Sequence, residues 1–237
     1  MNIALITAAG VGTRTRQKVP KQFLNVNEKP VIIYTMECFQ NHPEIDAIYV
    51  ACLEGWEGYM SGYAEQFDIT KLKKIVKGGK TGQESIENVL REIAKDCADD
   101  DIVLVHDGAR PYLPAKVITD NIATCRRHGN GITAIDCKEA MLETHDKISS
   151  HISIDREILY RTQTPHSMYL KDMLALHEEA REKGITGSVA TCTLLVECGH
   201  EVWFNYGSDF NFKITSKEDL LLFKALLEES GKQNWLK

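Results

Sequence analysis

Short apolar, β-favouring runs alternate with longer runs of helical periodicity through the first half of the chain, and this alternation constrains the fold more than any other feature. The short runs are Asn2–Thr7, Ala47–Leu53, Lys73–Val76, Asp101–His106 and Gly131–Asp136. Most are apolar on successive rather than alternate residues, the pattern of strands covered on both faces. Between them lie four helical segments. Pro30–Gln40 carries proline at its start, Trp56–Gln66 follows the second run, Gln83–Ala94 places Ile86, Val89, Leu90 and Ile93 on one face, and Ala115–His128 closes the series. Strand and helix in turn from Asn2 to Asp136 predict a doubly wound, parallel α/β sheet.

The pattern changes after Asp136. Cys137–Gln163 is polar, alternates Ser and Thr, and carries the charged tips Glu143–Lys147 and Asp155–Glu157. It reads as a β-arm leaving the sheet, and an arm that cannot build its own core points to a second copy of the chain. Helical patterning returns at Leu170–Lys183 and Val189–Cys198, followed by a strand at Glu201–Asn205 and a helix near Lys217–Glu229. At 237 residues, against about 150 per domain, the expectation is a single domain over residues 1–237 with an arm at 137–163.

Charge and cysteine usage narrow the function classes. Lys and Arg total 28 against 34 Asp and Glu, a net charge of −6, so the surface as a whole is a poor counterion for nucleic acid or an anionic membrane. The seven cysteines form no CxxC pair, which suits a reducing cytoplasm better than a disulfide scaffold. No stretch approaches the length of a membrane span. Phosphate chemistry therefore needs a local basic site.

Such a site follows the first strand. In Thr7-Ala8-Ala9-Gly10-Val11-Gly12-Thr13-Arg14-Thr15-Arg16-Gln17-Lys18-Val19-Pro20-Lys21-Gln22, small residues let backbone N–H groups approach an anion, and Arg14, Arg16, Lys18 and Lys21 stand without any acid among them. Gly-Lys-Ser/Thr does not follow Gly10, and Arg stands close to where a dinucleotide fingerprint needs its third glycine. A solvated surface turn is the alternative. A second cluster, His106-Asp107-Gly108-Ala109-Arg110-Pro111, ends an apolar strand on the same sheet edge. Asp107 there is either a ligand for Mg²⁺ held by substrate phosphates or a turn cap with Arg110 as its partner. Two further segments are less pointed: Lys77-Gly78-Gly79-Lys80-Thr81-Gly82-Gln83-Glu84-Ser85, a glycine turn into a helix, and Asp209-Phe210-Asn211-Phe212-Lys213-Ile214-Thr215, whose lysine could reach an anion.

Taken in order with Gln163-Thr164-Pro165, these segments resemble the cytidylyltransferases that activate polyol phosphates, over nearly the whole chain. The resemblance implies an α/β, Rossmann-like, glycosyltransferase-A-like nucleotidyltransferase fold with a mostly parallel sheet and a protruding arm. It implies CTP and a polyol phosphate as substrates, Mg²⁺ or another divalent cation as cofactor, and a homodimer through the arm, with no nucleic acid or membrane partner. By position it implies that Ala8, Ala9, Gly79 and Ser85 hold the cytosine and that Gly10 lies under the triphosphate. Arg14, Lys21 and Lys213 are the expected charge-stabilising groups and Asp107 the metal ligand. Arg156, Thr164 and Arg110 are expected on the acceptor side, with Arg156 serving the neighbouring subunit.

The sequence departs from the family pattern at Lys80-Thr81-Gly82, at Glu139-Ala140 and at Thr186-Gly187-Ser188-Val189-Ala190, mainly on the acceptor side. Pro20-Lys21-Gln22-Phe23-Leu24, Glu54-Gly55-Trp56 and Leu159–Pro165 look closer to the ribitol-5-phosphate branch. Ribitol 5-phosphate is therefore the expected acceptor; 2-C-methyl-D-erythritol 4-phosphate and an inactive nucleotide-binding relative are the alternatives.

Overall fold

A computed structural model describes residues 1–10 and 19–230. Its centre is a seven-stranded sheet in the order β11-β7-β10-β6-β1-β4-β5, formed by β1 (Asn2–Ala8), β4 (Ala47–Cys52), β5 (Leu72–Lys77), β6 (Ile102–Asp107), β7 (Asn130–Asp136), β10 (Tyr160–Tyr169) and β11 (Phe204–Tyr206). β1 pairs in parallel with β4 and β6, which sets the ends of β1 and β6 side by side, Thr7 opposite Asp107. Successive residues of β1 feed opposite cores: Ala4, Ile6 and Ala8 face one, Ile3 and Leu5 the other. The runs read as apolar on both faces are thus strands with helices above and below. β5, at the sheet edge, is only half-buried, in keeping with its lysines.

One face carries α1 (Val31–Gln40), α2 (Glu57–Gln66) and α4 (Ala115–His128). The other carries α3 (Gly82–Ile93), α5 (Leu170–Glu182) and α6 (Thr191–Cys198). Local chemistry explains the helix ends. Thr81 caps α3 by accepting from the Glu84 N–H at 3.1 Å, and α4 stops at Gly129, whose φ of +88° costs a side-chain-free residue little. A two-strand hairpin, β2 (Asn25–Val26) with β3 (Lys29–Pro30), lies ahead of α1. A final helix, α7 (Lys217–Ser230), packs Phe223 against Val31 and Ile214. Among the described residues no helix is long and apolar enough to cross a membrane.

The arm is shorter than its polar stretch predicts. β8 (Met141–Glu143) pairs with β9 (Ile152–Ile154) in an exposed ribbon. The chain then returns to the sheet as β10, which runs antiparallel to both β6 and β7 and breaks register between Thr162 and His166. Tyr160–Gln163 thus belongs to the sheet rather than the arm. Hydropathy misses this strand because most of its buried residues are polar, and its backbone is tied to side chains from other elements: the Thr133 hydroxyl donates to the Pro165 carbonyl at 2.8 Å, and Asn121 donates to it at 3.1 Å. The last strand also falls at Phe204–Tyr206, later than predicted, and α6 starts at Thr191.

Candidate active site

The carboxyl ends of β1 and β6, the turn after β5 and the bulged part of β10 surround a cavity of about 640 Å³ on the α3, α5 and α6 face. A cleft beyond the carboxyl ends of parallel strands is where open α/β sheets bind ligands. Ala8, Ala9, Gly10, Lys21, Gly79, Ser85, Asp107, Arg110, Thr164 and Lys213 all line it, although they come from six separate stretches of sequence. Arg14 lies outside the described residues, as do Gly12, Arg16 and Lys18. Arg156 sits on the arm, away from this cavity, where its guanidinium donates to the Lys138 carbonyl at 2.8 Å.

One wall of the cavity is held by contacts to the backbone. The buried Gln22 amide donates to the carbonyls of Ala8 at 2.7 Å and Gly10 at 3.0 Å, so the turn after β1 is tied to the segment carrying Lys21. Gly78 allows the second turn to close in: a β-carbon there would stand 2.2 Å from that of Ala9. The Ser85 hydroxyl accepts from the Gly79 N–H at 3.0 Å and donates to the Thr81 carbonyl at 2.8 Å. In this structure Ser85 shapes the glycine turn, and the wall presents small residues and backbone to a ligand.

The opposite wall is electrostatic. Asp107 Oδ1 accepts from Lys213 Nζ at 2.8 Å and Oδ2 from Arg110 Nε at 2.9 Å. Burial would raise this carboxyl, but the charges of Lys213 and Arg110 outweigh that and hold it well below the usual carboxylate range. The Arg110 guanidinium also donates to the Asn211 carbonyl at 2.7 Å. Arg110 is therefore the turn partner of Asp107 and a cation of the cleft at once. Lys21 and Lys80 also line the cavity, so its described lining carries four cations and one carboxylate in a chain of net charge −6, which suits an anionic ligand.

Asp107 is aimed by residues behind it. His106 Nε2 lies 3.2 Å from the Arg110 carbonyl, an acceptor only, so Nε2 carries the proton. Nδ1, 3.0 Å from Thr164 Oγ1, is then the acceptor, and the Thr164 hydroxyl donates to it while accepting from the Asp107 N–H at 3.1 Å. Burial pushes the His106 imidazole down to about 3, which keeps it neutral in this role. Lys213 arrives from the far end of the sequence because its segment is stitched to the sheet. Asn211, fully buried, donates to the Thr164 carbonyl at 2.7 Å, and the Ile214 N–H donates to the Ala109 carbonyl at 2.8 Å. Gln22, His106, Gln163 and Asn211 occur inside the quoted motifs, yet no periodicity or charge signal marks them as positioning residues.

Asp107 suits a divalent cation of one kind. Among the described residues no three or more His, Cys, Asp or Glu converge to hold a metal by themselves. Each Asp107 oxygen spends one lone pair on a cation and keeps another. A single carboxylate completed by substrate phosphates is the way Mg²⁺ is commonly held.

Comparison with known proteins places this arrangement in a family. The family model described as 2-C-methyl-D-erythritol 4-phosphate cytidylyltransferase (IspD) matches residues 2–229. The chain is 40% identical over 231 residues to the ribitol-5-phosphate cytidylyltransferase of Lacticaseibacillus paracasei, covering 97% of this chain and 99% of that protein. It is 33% identical over 229 residues to the 2-C-methyl-D-erythritol 4-phosphate cytidylyltransferase of Clostridium botulinum, covering 96% and 98%. The crystal structure of 4-diphosphocytidyl-2C-methyl-D-erythritol synthase from Anaerococcus prevotii shares the fold, with a TM-score of 0.79 at 24% identity and 96% coverage of both chains. A mostly parallel sheet ending in a cation-lined cleft, matched over nearly its full length, thus belongs to the IspD family, the polyol-phosphate cytidylyltransferases.

Proposed function

We propose that this enzyme transfers CMP from CTP to D-ribitol 5-phosphate, releasing pyrophosphate and forming CDP-ribitol. The observation that carries this reading is the pairing of Arg110 and Lys213 with Asp107 in a cavity that Lys21 also lines and whose other wall is backbone and small residues. Two anions must meet for the reaction to proceed, and fixed cations where charge accumulates lower that barrier. Ribitol is favoured over methylerythritol by the higher identity to ribitol-5-phosphate cytidylyltransferases, 40% against 33%.

An acceptor phosphate oxygen attacks the α-phosphorus in line. The new P–O bond forms as the bond to the β-phosphate oxygen breaks, and the electron pair leaves with pyrophosphate. Neither a covalent enzyme intermediate nor a general base is required, because the attacking oxygen is already ionised. Lys213 stands beside the α-phosphate, Lys21 and Arg14 grip the triphosphate, and Ala8, Ala9 and Gly79 hold the cytosine through backbone groups. Arg110 and Thr164 face the acceptor. Asp107 would hold Mg²⁺, which when bound neutralises phosphate charge.

The arm belongs to a homodimer in this reading. Its side chains Leu142, Ile148 and Ile158 are 61%, 89% and 77% exposed, more apolar surface than a solvated ribbon needs. Arg156, away from its own cavity, serves the acceptor site of a second copy. Incubation with CTP, Mg²⁺ and ribitol 5-phosphate should release pyrophosphate faster than with 2-C-methyl-D-erythritol 4-phosphate. No turnover with either acceptor would reject the reading, and preference for the second would reassign the acceptor.

A further inference from the structure

The cavity has a second polar wall that the phosphate chemistry leaves unused. His166 on β10, His177 on α5 and Thr191 at the start of α6 all line it, and they are 2%, 3% and 3% exposed. His166 Nε2, both ring nitrogens of His177 and Thr191 Oγ1 have no hydrogen-bond partner. Buried polar groups are rarely left unpaired, because each loses its water without compensation. The acid whose charge acts on His177, Glu87, is already engaged by Arg91 and Arg181.

The wall is also uncharged. None of the cavity-lining residues that β10, α5, α6 and the 185–190 loop contribute is Asp, Glu, Lys or Arg. Burial pushes His166 down to about 4 and lowers His177 as well; at neutral pH the His166 ring, already bonded to the Gln163 backbone, offers Nε2 alone, while His177 offers one N–H and one bare nitrogen. The wall is fixed in place by Gln83 of α3. Its amide donates to the Ile185 carbonyl at 2.8 Å and accepts from the Ser188 N–H at 3.1 Å, strapping the loop that delivers Thr191. Neutral donors and acceptors without a cation do not suit phosphate; they suit hydroxyl groups, each of which donates one hydrogen bond and accepts others.

We propose that His166, His177 and Thr191 form the subsite that reads the hydroxyls of the acceptor's polyol chain, starting from Thr164 at its phosphate end. Thr164 and His166 lie two residues apart on β10, so one strand carries the start of the subsite from the cation cluster into the neutral wall. The subsite rests on the ribitol 5-phosphate reading above and gives it a cause. Methylerythritol phosphate has one hydroxyl fewer and a methyl branch, and would leave part of this wall unpaired.

Steady-state kinetics of the shape-preserving variants Thr191→Val and His177→Phe, with CTP and ribitol 5-phosphate varied separately, test the proposal. Each variant should raise the acceptor KM about tenfold while the CTP KM stays within about twofold, and Thr191→Ser should restore the parent value. One ribitol 5-phosphate analogue lacking a single hydroxyl should lose affinity for the parent enzyme but lose nothing further in Thr191→Val. An unchanged acceptor KM in both variants overturns the subsite. So does a parallel rise in both KM values with a lowered Tm, which marks a packing role. Should His177→Phe fail to fold, Thr191→Val with its serine rescue decides. Parent turnover in the same assay separates the two readings. If the parent uses ribitol 5-phosphate and the variants match it, only the subsite falls; if the parent cannot use it, the acceptor assignment falls and takes the subsite with it.

Discussion

The cleft and the arm are built in opposite ways. In the cleft, the decisive contacts join residues far apart in sequence: Lys213 to Asp107, Asn211 to Thr164, and Arg110 to the Asn211 carbonyl. At the tip of the arm, contacts are local. Asp146 accepts from the N–H groups of Ile148 at 2.9 Å and Ser149 at 3.0 Å and from the Thr144 hydroxyl at 3.0 Å. Those N–H groups, Ile148 first, hold the Asp146 carboxyl well below its ordinary range although it lies at the surface. The cleft is thus pre-organised by the whole fold, so charge arrives already positioned. The arm orders its own turn and leaves its apolar side chains uncovered.

This contrast predicts large effects in the cleft and smaller ones in the arm. Lys213→Ala should lower kcat by about 10²–10³-fold, the usual scale for removing one pre-positioned charge-stabilising group. Its fold should survive, because Asp107 keeps Arg110; pyrophosphate release together with circular dichroism checks both points, and near-parent turnover would remove Lys213 from the chemistry.

The buried imidazoles make the cleft acid-sensitive. His106 at about 3 and His166 at about 4 lie below the unfolded value of about 6.5, so the unfolded chain binds more protons and stability falls as pH falls. The contribution is fully present above about pH 6.5 and is lost on acidification through the folded values, at about 2–3 kcal/mol per pH unit where both rings titrate only when unfolded. Denaturant unfolding between pH 7 and 4.5 checks the slope. A flat profile would mean that the two rings are not neutral and buried. Asp107 acts lower still: its depressed carboxyl stabilises the fold above about pH 4, and that contribution fades below it.

For the arm, Arg156→Ala should raise the acceptor KM about tenfold and leave the CTP KM nearly unchanged, the scale of one charge-assisted contact. Mixing it with an inactive Lys213→Ala partner tells which copy the arm serves. If the arm serves the other copy, mixed dimers recover one site with both an intact cleft and an intact arm; if each arm serves its own chain, mixing recovers nothing. The smallest effect is expected from Ile148→Ser, which should weaken dimerisation by a few-fold in sedimentation without altering kcat of the dimer. A parent chain that sediments as a monomer would rule out a site shared between copies.

Most of the α/β framework was legible in the sequence because strands covered on both faces declare themselves by hydropathy. β10 was not: Gln163, Thr164, His166 and Ser167 are buried polar residues, and Gln163, Thr164 and Ser167 are held by partners that hydropathy cannot see. Likewise Asp107 and Lys213 stood out by residue type and place, whereas Gln22, His106 and Asn211 act through hydrogen bonds whose partners only folding supplies. His177 and Thr191 were silent too, since a histidine and a threonine within amphipathic helical stretches carry no pattern.

By itself, the sequence determined the order of strands and helices, a glycine-rich turn after the first strand, and the local surplus of cations in an acidic chain, because each depends on neighbouring residues. Only the tertiary structure decided that β10 runs antiparallel between β6 and β7, that Lys213 reaches Asp107, and that one wall of the cavity is charged and paired while the other is neutral and unpaired. Those features depend on distant segments meeting, and short-range periodicity does not encode which ones do.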